Sequence, residues 1–324
     1  MTNSTSKSFV TKIIQRLRSL TDRQMVYILI GLGAAVVVLV GVFILIYVRD
    51  RYAAPAPNLG TAEQRLSHME ELVRQDPNNL ELRLSIAQGY YSMRRYPDVL
   101  AQANEVLKIE ADNQTALTLR GLAAVQLNEN DAALADFQRV IELNKDNSMA
   151  KADERLELAY YYAGLLYNRA QRYGEAEGVL KSALEINLGD ADAWLQLGEA
   201  YTGLGKHEDA LLAYQQVVRF VPDYVEAYQG MERSYRASHQ TGLADYARAM
   251  GTFSAGNAQQ AAVLLEELIE RQPDVLEAYL GLGLAYERLG ERDKAIKALE
   301  HYVAERPGDV AAEQALARIR RSGQ

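Results

Sequence analysis

A stretch of 32 residues recurs along this chain, and the repetition limits the possible folds more than any other feature. Its clearest copy, Ala191–Pro222, reads ADAWLQLGEAYTGLGKHEDALLAYQQVVRFVP. The first half has the i, i+3, i+4, i+7 spacing of one helix face, formed by Trp194, Leu197, Gly198 and Tyr201. Gly205 ends this helix, and a second amphipathic helix follows before the closing proline. Such a short helix pair cannot bury its apolar face alone, so it needs copies on either side.

Equivalent positions lie 34 residues apart, as in Gly164 and Gly198. The period resembles that of the tetratricopeptide repeat, as does the order of an aromatic residue, Leu, Gly, Tyr, a small residue and a proline. The resemblance covers residues 80–307 and is weakest in 80–147, which lacks the first-helix aromatic and the closing proline. It implies an all-α fold, a right-handed α-solenoid of about six repeats with capping helices over residues 61–324.

The period is interrupted twice. Gly121 and Gly164 are 43 residues apart, and we expect the nine-residue excess to extend the following helix at its N-terminus. Pro222 and Pro273 are 51 residues apart, an excess of 17. This second excess predicts an additional, unpaired helix over residues 225–238 that bends the stack.

Residues 25–48 form an uninterrupted apolar stretch before the repeats. These 24 residues carry no charge, and as a helix they span about 36 Å, enough for a bilayer core of about 30 Å. The competing interpretation is a cleaved signal peptide, whose apolar core is only about 7–15 residues long. The sequence therefore predicts one transmembrane helix, preceded by a basic amphipathic cytoplasmic segment (1–24) and followed by a linker (49–60).

Charges around the apolar stretch predict its orientation. Five Lys or Arg residues precede it, and only Arg49 and Arg51 follow closely. The positive-inside rule then keeps the N-terminus cytoplasmic in the inner (plasma) membrane and places the repeats on the extracytoplasmic side. Cytosolic repeats are the alternative. Gly31 and Ala35 could support pairing of two spans, but lone spans tolerate such residues, so a homodimer is not favoured.

Few residues suggest chemistry. Cysteine is absent, and the four histidines share no ligand spacing; His207 and His239 are expected in solvated turns. Beyond residue 52, 28 Lys or Arg face 41 Asp or Glu, and this acidic balance argues against nucleic-acid binding. The sequence predicts no catalytic residue, cofactor or metal site, and therefore no enzyme.

The resemblance also implies a binding surface. In tetratricopeptide repeat proteins, three side chains around the first-helix glycine line an inner groove. Here these positions hold Leu84, Gln88, Tyr91, Thr118, Leu122, Val125, Tyr161, Leu165, Asn168, Leu195, Glu199, Thr202, Leu280, Leu284 and Glu287. The mixture of aliphatic, tyrosine and amide groups suits a protein or peptide partner. Alternatively, the same tyrosines and leucines serve only inter-helix packing.

Two functions fit these expectations. The first is a membrane-anchored scaffold that binds partner proteins or peptides on its repeats. The alternative is an envelope assembly or quality-control factor that holds newly exported chains at the membrane. The scaffold requires one saturable partner, whereas the chaperone-like factor requires loose binding to many apolar peptides.

Overall fold

The computed structural model describes residues 61–145 and 153–321. The predicted cytoplasmic segment, transmembrane helix and linker, residues 1–60, lie outside the described part. Among the residues that are described, no helix is both long and apolar enough to cross a membrane. The chain comprises two compact units, 1–65 and 66–324, and the repeats lie in the second.

Fifteen α-helices occupy the described ranges, which contain no strand. In order they are α1 (Ala62–Gln75), α2 (Leu80–Ser92), α3 (Tyr96–Ile109), α4 (Gln114–Gln126), α5 (Asn130–Asn144), α6 (Glu154–Arg169), α7 (Tyr173–Ile186), α8 (Ala191–Gly203), α9 (His207–Phe220), α10 (Val225–Ala237), α11 (Thr241–Ser254), α12 (Ala258–Arg271), α13 (Leu276–Leu289), α14 (Arg292–Glu305) and α15 (Val310–Arg321). Consecutive helices pack as pairs, and each pair packs on the next. The predicted all-α solenoid of repeats is confirmed.

The turn inside each repeat has one residue in the left-handed region. Between α8 and α9 this residue is Gly205, with φ of 72°, a conformation that glycine adopts without steric cost. The amide of Lys206 donates to the carbonyl of Tyr201 at 2.9 Å and closes the turn. Gly205 therefore ends the first helix as the sequence predicts.

Close approach of the two helices explains why small residues recur at the same positions of the repeats. A Cβ on Gly198 would lie 2.5 Å from the ring of Tyr214, which is fully buried. Gly164 stands in the same relation to Leu180. Each buried side chain of this size contributes about 1.5–3 kcal/mol to folding, so the glycines allow the largest core residues to be covered.

The loosely matching repeat α4–α5 uses different contacts. Gly121 faces the fully buried ring of Phe137. The guanidinium of Arg120 donates to both carboxylate oxygens of Asp136, at 2.9 and 2.5 Å, and the Asp136 side chain is 5% exposed. This ion pair, with its buried carboxylate, joins the two helices in a repeat that lacks the first-helix aromatic residue.

The predicted terminal helices are present. At the start of α1, the amide of Gln64 donates to Oγ1 of Thr61 and the amide of Thr61 donates to Oε1 of Gln64, and the two bonds form a capping box. Further along α1, the hydroxyl of Tyr90 donates to Glu70 at 2.6 Å. Helix α15 follows the last repeat and packs on α14.

The first interruption lies before α6. Relative to α8, the helix α6 begins three residues earlier, at Glu154. The side chain of Asp153 caps it by accepting from the amide of Arg155 at 2.9 Å. The predicted N-terminal extension is thus present for three residues, and residues 146–152 lie outside the described part.

At the second interruption, the prediction of an unpaired helix is wrong. The additional helix exists as α10, but it packs on α11 as closely as the helices of a regular repeat pack on each other. Two consecutive intra-repeat turns explain this, one with His239 at φ of 58° and the next with Gly256 at φ of 89°. Helix α11 therefore acts as the second helix for α10 and as the first helix for α12. The predicted bend stays a prediction.

Candidate functional site

The predicted binding residues lie on the first helices of the repeats, and we call this surface the first-helix face. Gln88 is exposed. The half-buried members are Leu84, Tyr91, Leu122, Tyr161, Leu165, Asn168, Glu199, Thr202, Leu280, Leu284 and Glu287. The first-helix face thus offers partly accessible side chains in several repeats.

Three of the residues predicted for the first-helix face are buried, so they pack inside the repeats and offer little surface to a partner. Leu195 is 9% exposed and belongs to the hydrophobic core of the C-terminal repeats. Thr118 and Val125 are also buried. Burial at these positions is what the packing interpretation expects.

Polar side chains connect the first helices of adjacent repeats. The amide of Asn168 donates to the carbonyl oxygen of Gln196 at 2.8 Å and to its side-chain oxygen at 3.1 Å. Glu199 forms an ion pair with Arg233, so Asn168 and Glu199 are both engaged across repeat boundaries. The Oδ1 of Asn168 is buried and has no hydrogen-bond partner in the described part of the chain.

An ordered aromatic cluster lies around Tyr161 on α6. The ring of Tyr162 stacks on Phe137, with centroids 5.3 Å apart, and Tyr161 packs edge-on against Tyr162 at 5.0 Å. Leu165 lies one turn further along the same face. No described residue forms a hydrogen bond with the Tyr161 hydroxyl.

Burial raises the pKa of Tyr161 above its usual range, and the carboxylate of Asp192 adds to the increase. The phenol is therefore protonated at neutral pH, and its hydroxyl can both donate and accept a hydrogen bond. Together with Leu165, Tyr161 presents an immobilised aromatic ring, an unused hydroxyl and an aliphatic side chain.

Sequence reasoning missed a cation above the tyrosine that ends the first helix. The guanidinium of Arg172 lies 4.6 Å from the ring centroid of Tyr167, and that of Arg95 lies 4.3 Å from the ring of Tyr90. Each arginine follows the intra-repeat turn, five residues after the tyrosine. This common spacing could have predicted the contact from the sequence. Such cation–π contacts stabilise the repeats.

A pair of carboxyl groups joins α6 to the start of α8. Burial, a hydrogen bond with Asp190 and the charge of Asp190 together raise the pKa of Glu157 to about 7. Oδ1 of Asp190 also caps α8 by accepting from the amides of Asp192 and Ala193. Nothing in the spacing of these residues predicts the pair, since it depends on how two repeats pack.

The histidines are placed separately. His239 lies in an exposed turn, as expected. The expectation of a solvated His207 is wrong, because this half-buried residue begins α9 and its Nδ1 is buried without a partner among the described residues. Over the described ranges, no three His, Asp or Glu side chains are grouped so that they could hold a metal ion.

The comparison with protein families identifies the class that this architecture defines. Models described as tetratricopeptide repeat match residues 84–148, 167–234 and 252–319. Together these matches cover more than half of the chain. The chain belongs to the tetratricopeptide repeat family.

Several curated proteins are similar over part of their length. A DnaJ homolog subfamily C member 3 homolog from Dictyostelium discoideum is 21% identical over 266 residues, which cover 66% of this chain and 53% of that protein. The Hsp70-Hsp90 organizing protein of Triticum aestivum is 23% identical, with coverages of 60% and 37%. Anaphase-promoting complex subunit 3 of Schizosaccharomyces pombe is 22% identical, with coverages of 52% and 27%. The chain thus spans about half or less of these relatives.

Solved structures also resemble the chain. A tetratricopeptide repeat protein from Parabacteroides merdae has a TM-score of 0.46 and 17% identity, covering 80% of this chain and 93% of that one. YrrB, described as having an unusual peptide-binding site, has a TM-score of 0.47 and 18% identity, with coverages of 65% and 95%.

Proposed function

We propose that this protein is a membrane-anchored interaction scaffold and that its first-helix face binds a partner protein or peptide. The observation that carries the proposal is the pair Tyr161 and Leu165. The aromatic ring is held in place by its neighbours, while its hydroxyl lacks a partner among the described residues. Interface hot spots are commonly ordered aromatic side chains of this kind.

Membership of the tetratricopeptide repeat family supports this proposal, because members of the family generally mediate contacts between proteins. One relative, the Hsp70-Hsp90 organizing protein, is named for organising two other proteins. The anchor is proposed from residues 25–48, whose 24 uncharged residues suit a single span of the inner (plasma) membrane. We place the right-handed repeat solenoid on the extracytoplasmic side.

The binding test uses partners recovered with the full-length protein in mild detergent and identified by mass spectrometry. Replacing Tyr161 and Leu165 with Ala is expected to weaken capture of a given partner at least tenfold, or about 1.4 kcal/mol. Tyr161→Phe keeps the ring packing and removes only the hydroxyl, so it should weaken capture by about 2–10-fold.

The melting temperature and circular dichroism of Tyr161→Phe serve as the control. They should match those of the wild type, since the hydroxyl forms no hydrogen bond with a described residue. Undiminished capture by correctly folded variants would contradict binding at the first-helix face.

The chaperone-like alternative is favoured by exposed apolar side chains outside this face. Leu188 is 65% exposed and Leu212 is 60% exposed. Under this alternative the protein holds newly exported chains at the membrane, and it should suppress aggregation of an unfolded reporter protein. A scaffold with one saturable partner should leave that aggregation unchanged.

A further inference from the structure

A second surface lies on the opposite side of the helices from the first-helix face. On α13, the positions of Leu280 and Leu284 belong to the first-helix face. Tyr279, Leu282 and Tyr286 point away from it, because their spacing places them on the other side of the helix. They form the floor of a cavity of about 860 Å³ between α12 and α14. We call this cavity the outer groove.

The two ends of the outer groove are defined by its aromatic residues. At one end, the hydroxyl of Tyr286 donates to Glu266, and the ammonium of Lys294 lies 4.9 Å from the Tyr286 ring centroid. At the other end, the rings of Tyr279 and His301 are 4.0 Å apart. Tyr279 and Tyr286 are seven residues apart, so the floor is about 10 Å long, or two helical turns.

The walls of the outer groove carry opposite charges. Helix α12 contributes Glu266 and Glu270. Helix α14 contributes Lys294 and Lys297 together with Glu300, whose carboxylate is ion-paired with Arg320. Glu270 and Lys297 are exposed, and neither forms an ion pair within the described ranges. One acidic wall and one basic wall therefore face each other across an apolar floor.

We propose that the outer groove binds an amphipathic helix of a partner protein. The apolar stripe of that helix packs on the floor, with cationic side chains along one edge and anionic side chains along the other. The floor length suits apolar residues at i, i+3 or i+4, and i+7, which is how a helix binds in a groove. The volume lies within the range of about 300–1,000 Å³ that is typical of binding pockets.

Charge complementarity selects this occupant over a ligand of a single sign. An anionic surface such as a phospholipid headgroup layer meets the carboxylates of Glu266 and Glu270, and a polycation meets Lys294 and Lys297. Like charges at close range in a partly enclosed site oppose binding. Only a partner with both signs satisfies the two walls together.

The test uses three synthetic helical peptides of about 18 residues in an alanine-rich background, where helicity is intrinsic. All three share one leucine stripe. The first has Lys on one edge and Glu on the other, the second has Lys on both edges, and the third has Glu on both. A peptide with the edges exchanged is no control, since a helix can bind in the reverse direction and restore the match.

Fluorescence anisotropy with the full-length protein at physiological salt is expected to show that the mixed peptide binds at least tenfold more tightly than either single-sign peptide. The formal charge of the protein is −8, so non-specific attraction favours the all-Lys peptide. Tighter binding of the mixed peptide than of the all-Lys peptide would therefore show that the two charged walls, and not the net charge of the protein, select the ligand.

Two converse variants test the walls directly. Lys297→Glu replaces the exposed cation of the α14 wall with a carboxylate and should shift the preference toward the all-Lys peptide. Glu270→Lys replaces the exposed carboxylate of the α12 wall with a cation and should shift the preference toward the all-Glu peptide. Tyr161→Ala should change none of these affinities, which separates the outer groove from the proposed first-helix site. The same peptide ranking in both wall variants as in the wild type, or no binding of the mixed peptide, would overturn the proposal.

Discussion

Among single residues, Glu157 makes the stability of the fold depend on pH. Its pKa is raised from 4.5 to about 7 by burial and by the neighbouring Asp190. Between these two values the folded state holds a proton that the unfolded state has released, so stability falls as pH rises. The stabilisation from this carboxyl is complete below about pH 4.5 and lost above about pH 7.

Replacing Glu157 with Gln should therefore stabilise the protein at pH 8 and have little effect at pH 4. Because Glu157 is only half-buried, solvent screening reduces the expected gain at pH 8 to about 1 kcal/mol. Urea unfolding at both pH values measures the difference. Glu267→Gln, at an exposed position on α12, is the matched control. An equal effect of Glu157→Gln at pH 4 and pH 8 would refute the coupling.

Helices in this protein combine in two ways. In the regular repeats, a first helix meets its second helix at a small residue, and the pair then stacks on the next pair. In the three-helix unit α10–α12, the middle helix α11 makes an intra-repeat turn at both of its ends. The 17-residue excess is therefore one helix and one tight turn, inserted without interrupting the packing.

Two glycines of the α6–α7 repeat have different roles: one lies where two helices approach closely, and the other lies in an exposed helix, where only helix propensity matters. A Cβ at Gly164 would lie 2.4 Å from Cγ of Leu180, whereas Gly178 has no atom within 4 Å of such a Cβ. Gly164→Ala should destabilise the protein by about 1–3 kcal/mol through overpacking. Gly178→Ala, in the exposed middle of α7, should stabilise it by about 0.5–1 kcal/mol.

Thermal and urea unfolding of both variants provide the measurement, and each variant is the control for the other. If Gly164→Ala were also stabilising, then Leu180 would have room to move, and the close approach of α6 and α7 would not require glycine.

At the scale of the whole molecule, the proposed anchor attaches the protein to a membrane and the repeats bind partners. The repeats present two chemically different surfaces, one with tyrosine and leucine on the first helices and one with opposite charges along the outer groove. Anchoring through residues 25–48 would hold both surfaces beside a membrane and increase the effective concentration of partners there.

The orientation of the anchor has a direct test. Five Lys or Arg residues before the apolar stretch favour a cytoplasmic N-terminus, so protease added to intact spheroplasts should degrade the repeats. A cytoplasmic protein serves as the control for intact membranes. Protection of the repeats until lysis would instead place them in the cytosol, as the alternative orientation requires.

The sequence by itself determined the repeat architecture. A 34-residue period of small, aromatic and turn residues requires helix pairs that bury their apolar faces on copies of themselves. A local signal such as Gly205 was therefore enough to place the end of a helix. The sequence predicted the burial of individual side chains less reliably. Leu195 holds the same repeat position as Tyr161, three residues before the first-helix glycine, yet Leu195 is buried and Tyr161 is only half-buried.

Only the tertiary structure decided which surfaces remain accessible and which charges meet. The Glu157–Asp190 pair and the outer groove each arise between helices that belong to different repeats, and the outer groove depends on the distance between α12 and α14. The pairing of α10 with α11 was likewise decided by packing, because a period excess counts residues but does not state which neighbour covers an apolar face. Contacts between repeats depend on stacking geometry, and that geometry is not contained in the spacing along the chain.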